Sequence, residues 1–192
     1  MGSQYFSNPV IFLIEIASSL YLLAIMLRFL FQIVRADFYN PLSQFIVKIT
    51  QPAIKPLRRL VPSTGSIDMS SVLLMMVIQM ITLAVIGMLQ TGNGDFGFFY
   101  LLFAALAELV SLTINIFLVA LLAQVVLSWV NPGAYNPTIG LLFSLNEPLL
   151  RRVRKVVPTA GGFDFSSLVV LIGLQLLKML LIPPLHGLAL AF

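Results

Sequence analysis

Four stretches of this chain are long and apolar enough to cross a bilayer, and no other feature constrains its fold as strongly. A hydrocarbon core of roughly 30 Å takes about 20 apolar residues in helical form. The first stretch covers residues 10–34, interrupted by Glu15 and Arg28, and the second covers 71–89. The third covers 98–130, and the fourth runs from residue 167 to Pro183-Pro184, where missing N–H groups are expected to end or kink the helix. With 9% charged residues against 59% hydrophobic, the chain lacks the roughly 25% charge that covers a soluble domain. A lipid-solvated body fits this composition. The first stretch has no basic residue before it, exceeds a signal peptide's apolar region and precedes no small-residue cleavage site, so it is expected to stay in the membrane.

Charge placement orients the spans. The link between spans one and two holds Arg35, Lys48, Lys55, Arg58 and Arg59, and that between spans three and four holds Arg151, Arg152, Arg154 and Lys155. The N-terminus, the hairpin at residues 91–97 and the C-terminus carry no Lys or Arg. The positive-inside rule therefore places both links in the cytoplasm and both termini on the external, periplasmic side of a bacterial inner membrane.

The links are copies of one another. Tyr39-Asn40-Pro41 recurs as Tyr135-Asn136-Pro137, a shift of 96 (135 − 39). The same shift carries Pro52 onto Pro148, Arg58 onto Arg154, Val61-Pro62 onto Val157-Pro158, Gly65 onto Gly161, Asp68 onto Asp164, Ser70-Ser71 onto Ser166-Ser167 and Gln79 onto Gln175. Apolar coincidences are expected in any membrane protein, but a gapless register of Pro, Gly, Asp, Ser, Asn and Gln is not. Each copy shows its motif to the same side with two spans between, so the repeat is parallel, whereas many transporters are built from inverted ones. The expected fold is all-α: four transmembrane helices as two parallel helix–motif–helix repeats, residues 1–97 and 98–192, with short cytoplasmic interfacial helices.

Within the motif, Asn40 and Asn136 suit N-cap positions and Pro41 and Pro137 the first helical turn. Leu42, Phe45, Ile46 and Ile49 then form an apolar stripe with Lys48 off it, as in an interfacial helix. Pro52 and Pro148 are expected to break that helix before a second, basic one that ends at Pro62 or Pro158. Gly65, or Gly161-Gly162, would turn the chain back, and Asp68 and Asp164 are placed to cap the following span.

These residues resemble the YggT family of bacterial and plastid membrane proteins. The resemblance rests on Asn40-Pro41, Arg58-Arg59-Leu60-Val61-Pro62, Gly65 and Asp68-Met69-Ser70-Ser71, and again on Asn136-Pro137, Arg154-Lys155-Val156-Val157-Pro158, Gly161-Gly162 and Asp164-Phe165-Ser166-Ser167. Ser66 stands where many members have a second glycine. The resemblance implies a role in extracytoplasmic stress, chiefly osmotic shock, and in ion homeostasis, by ion passage or by modulation of a transporter. Relatives linked to cell division or to assembly of the photosynthetic cytochrome complex imply the alternative, a non-conducting scaffold or assembly factor. It brings no catalytic residues.

No nucleophile–base set, phosphate loop or metal-ligand spacing occurs, so an enzyme is not expected. The absence of cysteine excludes disulfides, thiolate metal sites and covalent haem, and one histidine makes a poor metal site, so no cofactor or metal is expected. The Gly-rich hairpin at 91–97 reads as a turn. The cations Lys48, Lys55, Arg58, Arg59, Arg151, Arg152, Arg154 and Lys155 suit topology and general attraction to anionic phospholipid, about 1 kcal/mol each, or a specific lipid or partner site. A homo-oligomer or membrane-protein partner is compatible with this pattern, and nucleic acid is not an expected partner. Arg28 can snorkel to its near interface, and His186 reads as interfacial.

Ionisable groups inside spans are costly and are usually paired or functional. Gln79 and Gln175 are expected to hydrogen-bond between copies or to line a pore. Counted inward at about 1.5 Å per residue, Glu15, Glu108 and Lys178 share the outer half of the bilayer. Lys178 is expected to pair with Glu108, or else with Glu15, as a structural ion pair or as an ion- or proton-handling site.

Overall fold

The computed structural model of the chain describes residues 2–59, 61, 67–92, 94, 96–130, 136–157 and 165–192, with side chains from residue 8 onward. The chain is an all-α, multi-pass membrane protein. Its helices are α1 (Gly2–Ile33), α2 (Pro41–Leu57), α3 (Met69–Thr91), α4 (Phe98–Val130), α5 (Pro137–Val153) and α6 (Phe165–Leu190). Four of them, α1 over Asn8–Ile33 with α3, α4 and α6, are long and apolar enough to cross a membrane. Helices α2 and α5 are the links, at 17 residues each.

The link helices start as their sequence dictates. Asn40 and Asn136 accept hydrogen bonds from the backbone N–H of Leu42 (2.9 Å) and Thr138 (3.0 Å), with proline next in each case. Their course differs from expectation. Helix α2 continues through Pro52 and Pro56, and α5 continues through Pro148, so among the described residues each link holds one helix rather than two. Pro52, Pro56 and Pro148 lie on the exposed face, as does Lys48, whose carbonyl loses its partner to Pro52; such a carbonyl can turn to water or headgroups. Meanwhile Ser43, Ile46, Thr50 and Ile54 are buried at helical spacing and hold α2 in place. Of the expected stripe, Ile46 alone is buried; Leu42, Phe45 and Ile49 stay exposed, an apolar face suited to the interface.

Helix α6 likewise runs through Pro183 and Pro184 to Leu190. It packs along α4, and inside a membrane span prolines are tolerated where neighbouring helices support the freed backbone groups.

The repeat is visible in the packing. Ile25 of α1, Ile54 of α2 and Leu74 of α3 meet in one buried cluster. Their equivalents under the shift of 96 (121 − 25, 150 − 54, 170 − 74) are Leu121, Leu150 and Val170, which form a second buried cluster. Each copy thus closes the same three-helix junction. The larger cluster also takes Leu109, Ile116 and Ala120 of α4 and Leu145 of α5, which binds the copies together. A polar bond joins the two links: the Asn40 amide donates to the Pro137 carbonyl at 2.6 Å.

Candidate functional site

Polar chemistry gathers at two levels. On the side of the links, the buried Arg28 of α1 donates to Thr50 Oγ1 at 2.9 Å and to Gln51 Oε1 at 2.7 Å. Under the shift of 96, Arg28 and Thr50 become Gln124 and Asn146, and the Asn146 amide donates to Gln124 Oε1 at 2.8 Å. A polar bridge therefore pins span to link at one place in both copies, by different chemistry. Arg28 was expected to snorkel; its guanidinium instead finds partners within the protein, because α2 lies across the end of α1.

Beside this bridge, Arg58 makes an ion pair of 2.5 Å with the fully buried Asp68. Asp68 stands at the N-cap of α3, as expected, but its carboxylate caps no backbone N–H. Oδ2 accepts from Arg58 and, at 3.1 Å, from the Ser71 hydroxyl. Burial alone would push the Asp68 carboxyl up; the Arg58 hydrogen bond and charge, the Ser71 hydroxyl and the Arg28 charge outweigh it and hold the carboxyl below its ordinary range. Ser70 donates to the Val61 carbonyl at 2.7 Å, and its equivalent Ser166 donates to Val157 at 3.4 Å. In the second copy Arg154 meets Glu147 at 3.3 Å. Pro62, Gly65, Pro158, Gly161, Gly162 and Asp164 lie outside the described residues. Lys48, Lys55, Arg59, Arg151, Arg152 and Lys155 are all exposed along the links.

The second level lies between α4 and α6, towards the hairpin side. Glu108 Oε1 is 3.9 Å from His186 Nε2. Seven residues further along α4, Asn115 Oδ1 accepts from Lys178 Nζ at 2.8 Å. A crevice of about 140 Å³ runs beside them, lined by Ser19, Gln79, Glu108, Ser111 and Asn115 among leucines. The result is a polar file along antiparallel helices.

This corrects the expected charge cluster. Lys178 pairs with Asn115, and neither Glu108 nor Glu15 bonds it. The C-terminal Phe192 stacks beside Phe103 and Phe99, so α6 ends inward of the start of α4. That register sets His186, rather than Lys178, opposite Glu108. Glu15 is exposed on α1 and takes no part in the file. Gln79 and Gln175, expected to hydrogen-bond between copies or to line a pore, part company: Gln79 lines the crevice, while Gln175 is exposed on α6.

Thr50, Gln51 and Asn115 were missed as site residues. Thr50 carried a readable signal, since it and Arg28 fall onto polar residues under the shift of 96. Asn115 carried none, because its partner depends on the register of α6.

The chain matches the CCB3/YggT family twice, over residues 7–89 and 103–185. The two matches are displaced by 96 (103 − 7), the shift read from the sequence. An uncharacterized protein of Pseudomonas aeruginosa is 46% identical over 92% of this chain and 89% of its own. One of Vibrio alginolyticus is 41% identical over 91% and 94%. The uncharacterized protein YggT of Escherichia coli K12 is 35% identical over 90% and 88%. No solved structure matches.

Proposed function

This chain belongs to the CCB3/YggT family, and from that premise we propose that it serves ion homeostasis under osmotic stress at the bacterial inner membrane. Its working part in this reading is the polar file of Glu108, His186, Asn115 and Lys178, which passes a small ion or modulates a transporter that does. The observation that carries the proposal is the file itself. Ionisable groups at this depth are expensive in lipid, yet Glu108 and His186 are each about half exposed, at 48% and 44%. Water, an ion path or a neighbouring subunit must cover them in the membrane.

The test is ion flux into liposomes holding the purified protein. Flux under a potassium or proton gradient, abolished by Glu108→Gln, supports the proposal. No flux under any gradient, together with a stable copurifying membrane protein, supports the alternative of a non-conducting scaffold. One observation favours that alternative: α3 buries few of its residues within the chain, which leaves a long apolar flank for a partner.

A further inference from the structure

The end of α1, the link helix α2 and Arg58 line an open-sided cavity of about 520 Å³. Three arginines line it, Arg28, Arg35 and Arg58, together with Ser43, Gln32 and Gln51. Among the described residues no carboxylate lines it. Asp37 lies in the chain between the lining residues Ala36 and Phe38 and accepts from the Tyr39 N–H at 2.9 Å, and the fully buried Asp68 is engaged by Arg58 and Ser71. Two features mark the cavity as unfinished. Arg28 is 8% exposed, yet both its bonded partners, Thr50 and Gln51, are neutral; Asp68 acts on it through space and makes no hydrogen bond to it. Ser43 is 5% exposed, and its hydroxyl has no hydrogen-bond partner. Buried polar atoms of this kind are nearly always satisfied by something.

The backbone adds a third feature. Arg35 has φ +54, the left-handed conformation. The Ala36 N–H bonds back to the Phe31 carbonyl at 2.9 Å, which closes α1 in the manner that usually places glycine at this residue. A side chain here is strained by the close approach of its Cβ to the following carbonyl oxygen. An arginine is held where glycine would sit without strain, and it lines the cavity.

We infer that this cavity binds a phosphate group, as a lipid phosphate at the membrane surface or as a free phosphate ester. The guanidinium groups of Arg28, Arg35 and Arg58 supply forked donors that match phosphate oxygens. The volume lies within the range of small-ligand pockets. The second copy holds a twin cavity of about 570 Å³, lined by Gln124, Ser128 and Arg154 with Trp129 and Phe165. There Arg28 is replaced by Gln124, and Arg154 is met by Glu147. One phosphate site per chain is the consequence, in the first repeat.

The test uses the full chain, delipidated in detergent, with short-chain phosphatidic acid read by native mass spectrometry and inorganic phosphate as competitor. The wild type should bind one lipid tightly. Each of Arg35→Gly and Arg28→Gln should weaken binding by about tenfold, the loss of one charge-assisted bond. Arg35→Gly also relieves the backbone, so it should hold or raise the unfolding temperature, and it decides the matter alone if Arg28→Gln fails to fold. The double variant Arg151→Gln with Arg152→Gln removes exposed charge outside the cavity and should leave tight binding intact. Displacement by inorganic phosphate identifies the phosphate group itself as the ligand; retention of lipid against it identifies a lipid headgroup. Binding of neither probe, wild-type binding by Arg35→Gly, or loss of binding through Arg151 and Arg152 alone would overturn the inference.

Discussion

Asp68 and Arg58 share an ion pair unequally, since the arginine side chain is 40% exposed and the aspartate 0%. Removing Arg58 strands a buried carboxylate, whereas removing Asp68 frees an arginine that can turn to water. Arg58→Gln should therefore destabilise by about 3–5 kcal/mol and Asp68→Asn by clearly less, as read from denaturation in detergent. The pair also dictates an acid response. The Asp68 carboxyl is held below its ordinary value in the folded protein. Its stabilisation is thus complete above the unfolded value of about 3.9 and is lost as pH falls through the lower folded value. The stability gap between wild type and Asp68→Asn should stay constant near neutrality and close below about pH 4; a gap that closed at higher pH would place the controlling group elsewhere. On the other side of the molecule, the bond from Lys178 to Asn115 predicts which pairs couple. A double-mutant cycle of Lys178→Met with Asn115→Leu should show a coupling of about 0.6–2 kcal/mol, and a cycle of Lys178→Met with Glu108→Gln should show almost none.

At the scale of helices, proline is where local rules and packing disagree. Pro52 and Pro148 sit inside α2 and α5, where a proline is worth about 3 kcal/mol less than alanine in isolation. Pro52→Ala and Pro148→Ala should each raise stability by about 1 kcal/mol or more, as the missing N–H returns to an unbroken helix. A fall in stability would mean that the chain needs an interruption there. The same conflict explains what could be read from residue order. Spans, link caps and the repeat were legible, because apolar length, Asn-Pro and a gapless register of polar residues are local signals. The continuity of α2, α5 and α6 was not, since Pro52, Pro148 and Pro183-Pro184 are breakers by local rules and only neighbouring helices override them. The polar file was half legible: Glu108 and Lys178 could be placed in the outer half of the membrane, but their partners depend on where Phe192 comes to rest. The arginine cavity was least legible, because its strained residue, Arg35, declares itself only through its backbone.

At the scale of the whole molecule, every Lys and Arg outside the spans lies on the side of the links. A reporter fused after Phe192 should thus be active outside the cytoplasm, and a cysteine near Lys55 should be shielded from an impermeant external label; labelling of that cysteine in intact cells would reverse the orientation. The copies sit side by side with matching junctions, so the chain resembles a dimer with its subunits tethered end to end. The Asn40 side chain that reaches the Pro137 carbonyl complicates that likeness. Two interchangeable halves would clasp each other twice, and the return clasp would run from Asn136 to Pro41. Among the described residues Asn136 keeps to its own helix, bonding Thr138, and remains exposed. One half holds and the other is held. If the tether were cut in the hairpin, each half should therefore prefer the other to a second copy of itself, since two first halves would bring two hands to one grip and two second halves would bring none.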